Sequence, residues 1–134
     1  MGKDIRAGFG ARLAGPCLAA MAALAWPAAA QAADPVSFKN HVHVIINNRC
    51  VACHQPGGDG FASSGLDLRS YDGLMKGTKH GPVVVPGDAF TSNFNVLIEG
   101  RAATAIRMPH NQPPLSAHEI AVIRRWVDEG AKNN

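Results

Sequence analysis

The densest chemistry in the sequence is Cys50-Val51-Ala52-Cys53-His54, two cysteines three residues apart followed at once by a histidine. C-x-x-C-H is the pattern of c-type haem attachment. Two thiols at this spacing can add to the two vinyl groups on one edge of a haem, and the next side chain is then held under the iron as proximal ligand. The pattern implies one covalently bound haem c, with Cys50 and Cys53 as attachment points and His54 on the iron. Zinc is the alternative, because His41 and His43 upstream complete a Cys2His2 set. A helix through 41 and 43 turns those imidazoles apart, however, and the spacings fit no usual zinc pattern. For the sixth iron position the candidate is Met108, a soft neutral thioether that favours ferrous iron, placed in an irregular stretch before the last helix. Pro109 pushes Met108 towards extended backbone. In an extended chain His110 would point to the same side, so His110 is the rival ligand.

The rest of the chain must position these groups. Residues 1–32 read as a secretory signal peptide: Lys3, Arg6 and Arg12 precede an uncharged Ala/Leu-rich run from Leu13 to Ala30, ending in Ala30-Gln31-Ala32. Cleavage after Ala32 leaves one domain, 33–134. The apolar run is short and rich in alanine for a membrane span, so membrane association is expected only if the segment stays uncleaved. Of the formal net charge of +3, the mature part keeps only about +1, and no basic run survives there. Nucleic-acid binding therefore loses its compositional support. Cys17 falls within the export segment, so a disulfide framework reduces to a single Cys50–Cys53 bridge. With 6% aromatic residues, so small a domain is short of core, and a buried macrocycle would supply the missing apolar surface.

Asp34-Pro35 predicts a helix start, and Phe38, Val42, Ile45 and Ile46 recur at helical spacing to about Asn48. The glycine-rich stretch Gln55 to Gly65 reads as a loop. Ser70 to Lys76 is a short helix closed by Gly77, and Val83 to Val85 is a brief extended piece. Ser92 is placed to cap a helix through Phe94, Leu97 and Ile98. The last helix is the clearest: Ser116-Ala117-His118-Glu119 is a capping box, followed by Ile120, Ile123, Trp126 and Val127 on one face. His41, His43 and His118 are read as solvated, His80 as a turn residue within reach of a haem edge, and Met75 as a core gap-filler. Arg69 and Arg107 are either solvated or donors to haem propionates.

These motifs resemble a known family over nearly the whole mature domain. With Cys50-x-x-Cys53-His54 come Gly65-Leu66-Asp67-Leu68-Arg69, Gly77, Val85-Pro86-Gly87-Asp88, Ser92, Met108-Pro109 and Leu115-Ser116-x-x-Glu119-x-x-x-Ile123-x-x-Trp126-Val127-x-x-Gly130-Ala131. The chain is similar to single-haem class I cytochromes c, and most of all to the planctomycete-type cytochrome c domain. The resemblance implies an all-α fold with long irregular loops, in which the first and last helices cross at Phe38 and Trp126 and the haem sits in a central cleft. Phe94-Asn95 departs from the pattern, where a more aliphatic pair is expected. The expected function is single-electron transfer in the periplasm between redox partner proteins, with His54/Met108 ligation and neither catalysis nor a small-molecule substrate. The alternatives are an electron-transfer subunit of a larger oxidoreductase complex and, further off, a gas-binding haem protein or a peroxidase.

Overall fold

The computed structural model describes residues 34–134. The expected signal segment, with Cys17, lies outside the described residues. The described part is all-α: a π-helical turn Phe38–Val42 running directly into α1 (His43–Arg49), then α2 (Asp59–Ser64), α3 (Tyr71–Lys76), α4 (Asn93–Ile98), a 3-10 turn Thr104–Ile106 and α5 (Ala117–Asp128). Among the described residues there is no strand, only an isolated bridge between Thr78 and Gly81. None of their helices is long and apolar enough to cross a membrane.

Local chemistry explains the clearest boundaries. Ser116 Oγ accepts from the Glu119 N–H while the Glu119 carboxylate accepts from the Ser116 N–H at 2.6 Å, completing the capping box of α5. Ser70 Oγ accepts from Gly73 N–H at the start of α3. Gly77, with φ of 80°, ends that helix in the left-handed region open to glycine.

Three expectations are corrected. The first helix is capped by Ser37, whose Oγ accepts from Asn40 N–H, and not by Asp34. Residues before it are drawn to the other end of the chain instead: Val36 N–H donates to Glu129 at 2.7 Å, Phe38 N–H to Asn134 Oδ1 at 2.8 Å, and Arg125 reaches the Asp34 carbonyl at 2.7 Å. The Gln55 to Gly65 stretch is not all loop, because it holds α2, entered from Gly58 in extended conformation and left through left-handed Gly65. Ser92 stands at the N-cap of α4, but its side chain does not cap. It is buried, donates to the Asp88 carbonyl at 2.7 Å and accepts from Val85 N–H at 2.8 Å, which closes the Pro86-Gly87 turn. That turn docks on α5, through Gly87 N–H to the Val127 carbonyl and Ala89 N–H to Asp128.

The core lies between the two terminal helices. Val42, Ile46, Ile123, Trp126 and Val127 have no exposed surface. The rings of Phe38 and Trp126 are 5.4 Å apart, and Tyr71 meets both edge-on. Such offset and edge-to-face contacts are the arrangement that aromatic quadrupoles favour. Met75 packs against this core, as expected. His43 departs from a solvated reading: its ring stacks on Phe38 at 5.3 Å and its Nε2 lies 3.2 Å from the Arg69 carbonyl.

Candidate haem-binding site

The C-x-x-C-H motif grows out of the end of α1. Cys50 N–H donates to the Ile46 carbonyl at 2.8 Å, and the N–H groups of Cys53 and His54 both return to the Cys50 carbonyl. The chain thereby coils tightly, with Cys53 exposed and Cys50 half-buried against the core. Both thiols are free. Burial pushes the Cys50 thiol up to about 11, with nearby Arg49 pulling the other way.

His54 is buried. Its carbonyl accepts from Leu68 N–H at 2.8 Å and the Cys53 carbonyl from Phe61 N–H at 2.9 Å, so both flanks of the following loop are tied to the motif's main chain. Helix α2 forms a wall beside the imidazole. A Cβ at Gly60 would come within 2.9 Å of both Cε1 and Nε2 of His54, so only glycine lets this helix approach so closely. Burial lowers the pKa of His54, the Leu66 backbone opposes this, and His110 adds to the lowering. A neutral imidazole is the form that binds a metal.

His110, two residues beyond Met108, is the smallest of the influences on the His54 pKa. Met108 is half-buried and packed against the core, with its N–H donating to the Leu97 carbonyl of α4 at 3.1 Å. The extended passage expected there is absent. The chain bends at Met108 and Pro109 and turns at 110–111, where Asn111 has φ of 54°. The two-residue alternation that set His110 beside Met108 therefore does not apply, and His110 is exposed.

Arg107 packs its guanidinium against Gly100, where a Cβ would lie 3.0 Å from Nε. Arg69 is instead engaged by Asp67, in an exposed pair at 2.7 Å. His80 is exposed in its turn. No three His, Cys, Asp or Glu side chains gather into a metal cluster among the described residues. Sequence reasoning did not single out Asn95 as a site residue, yet it is fully buried on α4. Its only sequence signal was the departure at Phe94-Asn95.

A haem fits the residues present. Two free thiols, an imidazole and a thioether form its donor set. Among the described residues the buried side-chain polar atoms without a hydrogen-bond partner are His54 Nδ1, both amide atoms of Asn95 and Arg107 Nε. Buried polar groups are almost always paired. These orphans are the motif histidine, the neighbour of Met108, and a residue of the helix that holds Met108, so one missing group near the motif can account for them together. When bound, haem supplies a ferrous/ferric couple. Cys50, Cys53, His54 and Met108 are the residues that would hold it.

A helical domain bearing a C-x-x-C-H turn, a buried imidazole and a methionine loop pinned to α4 has the features of a cytochrome c domain. The sequence model of the family described as Planctomycete cytochrome C matches residues 50–111, from Cys50 through the Met108 loop, and bears out the resemblance to that family over those residues. Cytochromes c of this kind are generally electron carriers. No curated protein and no solved structure matches the chain.

Proposed function

We propose that this chain is an exported class I-type cytochrome that carries single electrons on one haem c, bonded to Cys50 and Cys53 and held between His54 and Met108. The observation that carries the reading is the C-x-x-C-H turn itself, with both thiols free and a buried His54 whose Nδ1 is unpartnered; the methionine loop is pinned to α4. In this role the chain's own residues exclude water and hold both ligands fixed, so that little rearranges when an electron arrives or leaves. His54 and Met108 suit that task because each is tied by main-chain hydrogen bonds as well as packing. The high pKa of Cys50 keeps its thiol neutral in the folded chain and poorly nucleophilic. Attachment is therefore expected on the unfolded chain after export, with the mature protein starting at Ala33 in the periplasm.

The test is the intact mass and ferric spectrum of protein produced with a c-type attachment system. The mass should exceed that of residues 33–134 by one haem. The weak far-red absorption that reports sulfur ligation should be present, lost in Met108→Ala and kept in His110→Ala. Persistence of the band in Met108→Ala would refute the ligand assignment. A large spectral change on adding carbon monoxide at neutral pH would favour the gas-binding alternative.

A further inference from the structure

We propose that Arg49 is a positioning residue of the site, its guanidinium clamping the carbonyls of Pro113 and Pro114, and with them the chain that follows Met108, to the end of α1. The inference rests on the proposed His54/Met108 ligation. Arg49 is the last residue of α1 and stands one residue before Cys50. Its Nη2 donates to the Pro113 carbonyl at 2.6 Å and lies 3.3 Å from the Pro114 carbonyl, while Nη1 pairs with Glu119 at 3.5 Å. A cation at the C-terminus of a helix is favoured even when it points into water. This one crosses instead to carbonyls 64 and 65 residues further along the chain, and its side chain is only 23% exposed.

The segment it holds has few other attachments. Pro109, Pro113 and Pro114 have no N–H to donate. On the upstream side Met108 N–H is tied to the Leu97 carbonyl, and on the downstream side the Leu115 side chain is buried. Residues 110–114 between them are exposed. Among the described residues, no hydrogen bond other than those from Arg49 joins 109–115 to the rest of the chain. Carbonyl oxygens are therefore what remains to grip. A planar guanidinium, with its donors in a fixed fork, suits two neighbouring acceptors as a lysine ammonium does not. Glu119 is already engaged in the capping box of α5, accepting from Ser116 N–H at 2.6 Å. Its longer contact with Nη1 orients the guanidinium, and the short contact is the one to Pro113. Opening of 109–115 would free the side of Met108 that its own main-chain bond does not hold. The clamp thus sets how readily Met108 yields to a competing ligand, while the bond to Leu97 keeps it in place at rest.

The experiment uses the haem-loaded protein and its Arg49→Gln, Arg49→Lys and Glu119→Gln variants. Ferric protein is titrated with imidazole, which competes with Met108 for the iron, while the far-red band is followed. In parallel, native protein is exposed to a protease of broad specificity, and cleavage within 109–115 is timed by mass. Arg49→Gln should raise imidazole affinity about three- to tenfold, the factor equivalent to one hydrogen bond of ordinary net strength. Cleavage within 109–115 should quicken by a similar factor, since it follows the population of the open segment. Cleavage elsewhere should keep its rate. Arg49→Lys keeps the charge and loses the fork, so it should shift both readings in the same direction. Glu119→Gln keeps a capping side chain and both carbonyl contacts, and should leave both readings within about twofold. Unchanged imidazole affinity and cleavage in Arg49→Gln would overturn the clamp. Full recovery by lysine would overturn it by assigning the effect to charge alone, and an equal effect in Glu119→Gln by assigning it to the ion pair. Equal acceleration of cleavage throughout the chain would show a general loss of stability instead. Absence of the far-red band from the unsubstituted protein would refute the Met108 assignment beneath the inference, and cleavage within 109–115 would still decide whether Arg49 holds the segment.

Discussion

Trp126 offers the most direct test of how the described domain is held together. Its side chain has no exposed surface. Its ring lies 5.4 Å from Phe38 and 6.4 Å from Tyr71, and its Nε1–H donates to the Lys132 carbonyl at 2.9 Å. Truncation of a large buried aromatic costs about 3–5 kcal/mol, and the cost rises where neighbours cannot collapse into the space. Here they are held from outside the cluster. Phe38 N–H is tied to Asn134, and the Tyr71 hydroxyl donates to the Ala131 carbonyl at 2.9 Å. Trp126→Ala should therefore fall in the upper half of that range, about 4 kcal/mol. For a domain of this size that corresponds to a fall in midpoint temperature of about 15–30 °C. The lost hydrogen bond adds little, since Lys132 is exposed and water can replace the indole. Trp126→Phe keeps a ring in the cluster and should cost much less, about 1–2 kcal/mol. The assay is denaturant unfolding of the haem-loaded protein by far-ultraviolet circular dichroism, with the haem spectrum recorded alongside. A loss below about 1 kcal/mol in Trp126→Ala would place the residue outside the energetic core. Equal losses in the two variants would assign the cost to the Lys132 contact and refute the packing argument.

Replacing Cys50 and Cys53 together by Ala should leave a secreted product without haem and with most of its helical circular dichroism gone; a cooperatively folded, haem-free product would contradict this. Gly60→Ala puts a Cβ at 2.9 Å from the His54 ring, so it should disturb the ferric spectrum and lower haem loading, and an unaltered spectrum at full loading would show that α2 can simply move away. Glu99 accepts from Arg101 at 2.6 Å and from Arg124 at 2.8 Å, joining α4 to α5. Burial alone would raise its pKa, but hydrogen bonds from the two guanidinium groups prevail and hold it below the usual carboxylate range. A depressed folded pKa gives stability that is present above the unfolded value of about 4.3 and is lost as pH falls through the folded one. Glu99→Gln should thus cost about 0.5–1 kcal/mol at pH 7, a figure kept small by the solvent around both arginines. That difference should shrink on acidification below the unfolded value, and a pH-independent difference would refute the electrostatic account.

Elements whose boundaries depend on neighbouring residues were legible in the sequence. The capping box of α5 and the Ser70 and Gly77 ends of α3 are local chemistry, and they stand where the sequence puts them. The first helix was misplaced at its start because contacts far along the chain decide it. Glu129 and Asn134 take the N–H groups of Val36 and Phe38, across separations of 93 and 96 residues. Helix α2 was hidden for a related reason. Glycine is a poor helix former, so Gly58 and Gly60 argue for loop when read alone. In the fold, the bare backbone of Gly60 is what lets a helix lie against His54. The burial of Asn95 had one sequence signal, the aliphatic pair expected at 94–95, and only the burial of Phe94 and Ile98 beside it fixes which arc of α4 points inward.

The candidate site divides along the same line. C-x-x-C-H is legible because attachment is a matter of spacing within five residues, whereas the far side depends on where a loop some fifty residues later is fastened. The fastening is by main chain throughout: Leu68 N–H on the His54 carbonyl, Phe61 N–H on the Cys53 carbonyl and Met108 N–H on the Leu97 carbonyl. Backbone bonds of this kind survive most side-chain substitutions. They can therefore hold the motif and the Met108 backbone in place independently of the side chains around them. Asn95 and Arg107 carry the unpartnered buried atoms outside the motif. If the proposed haem is bound there, substitutions at Gly60, whose added Cβ would meet the His54 ring, and at Cys50 should act on whether it is held at all.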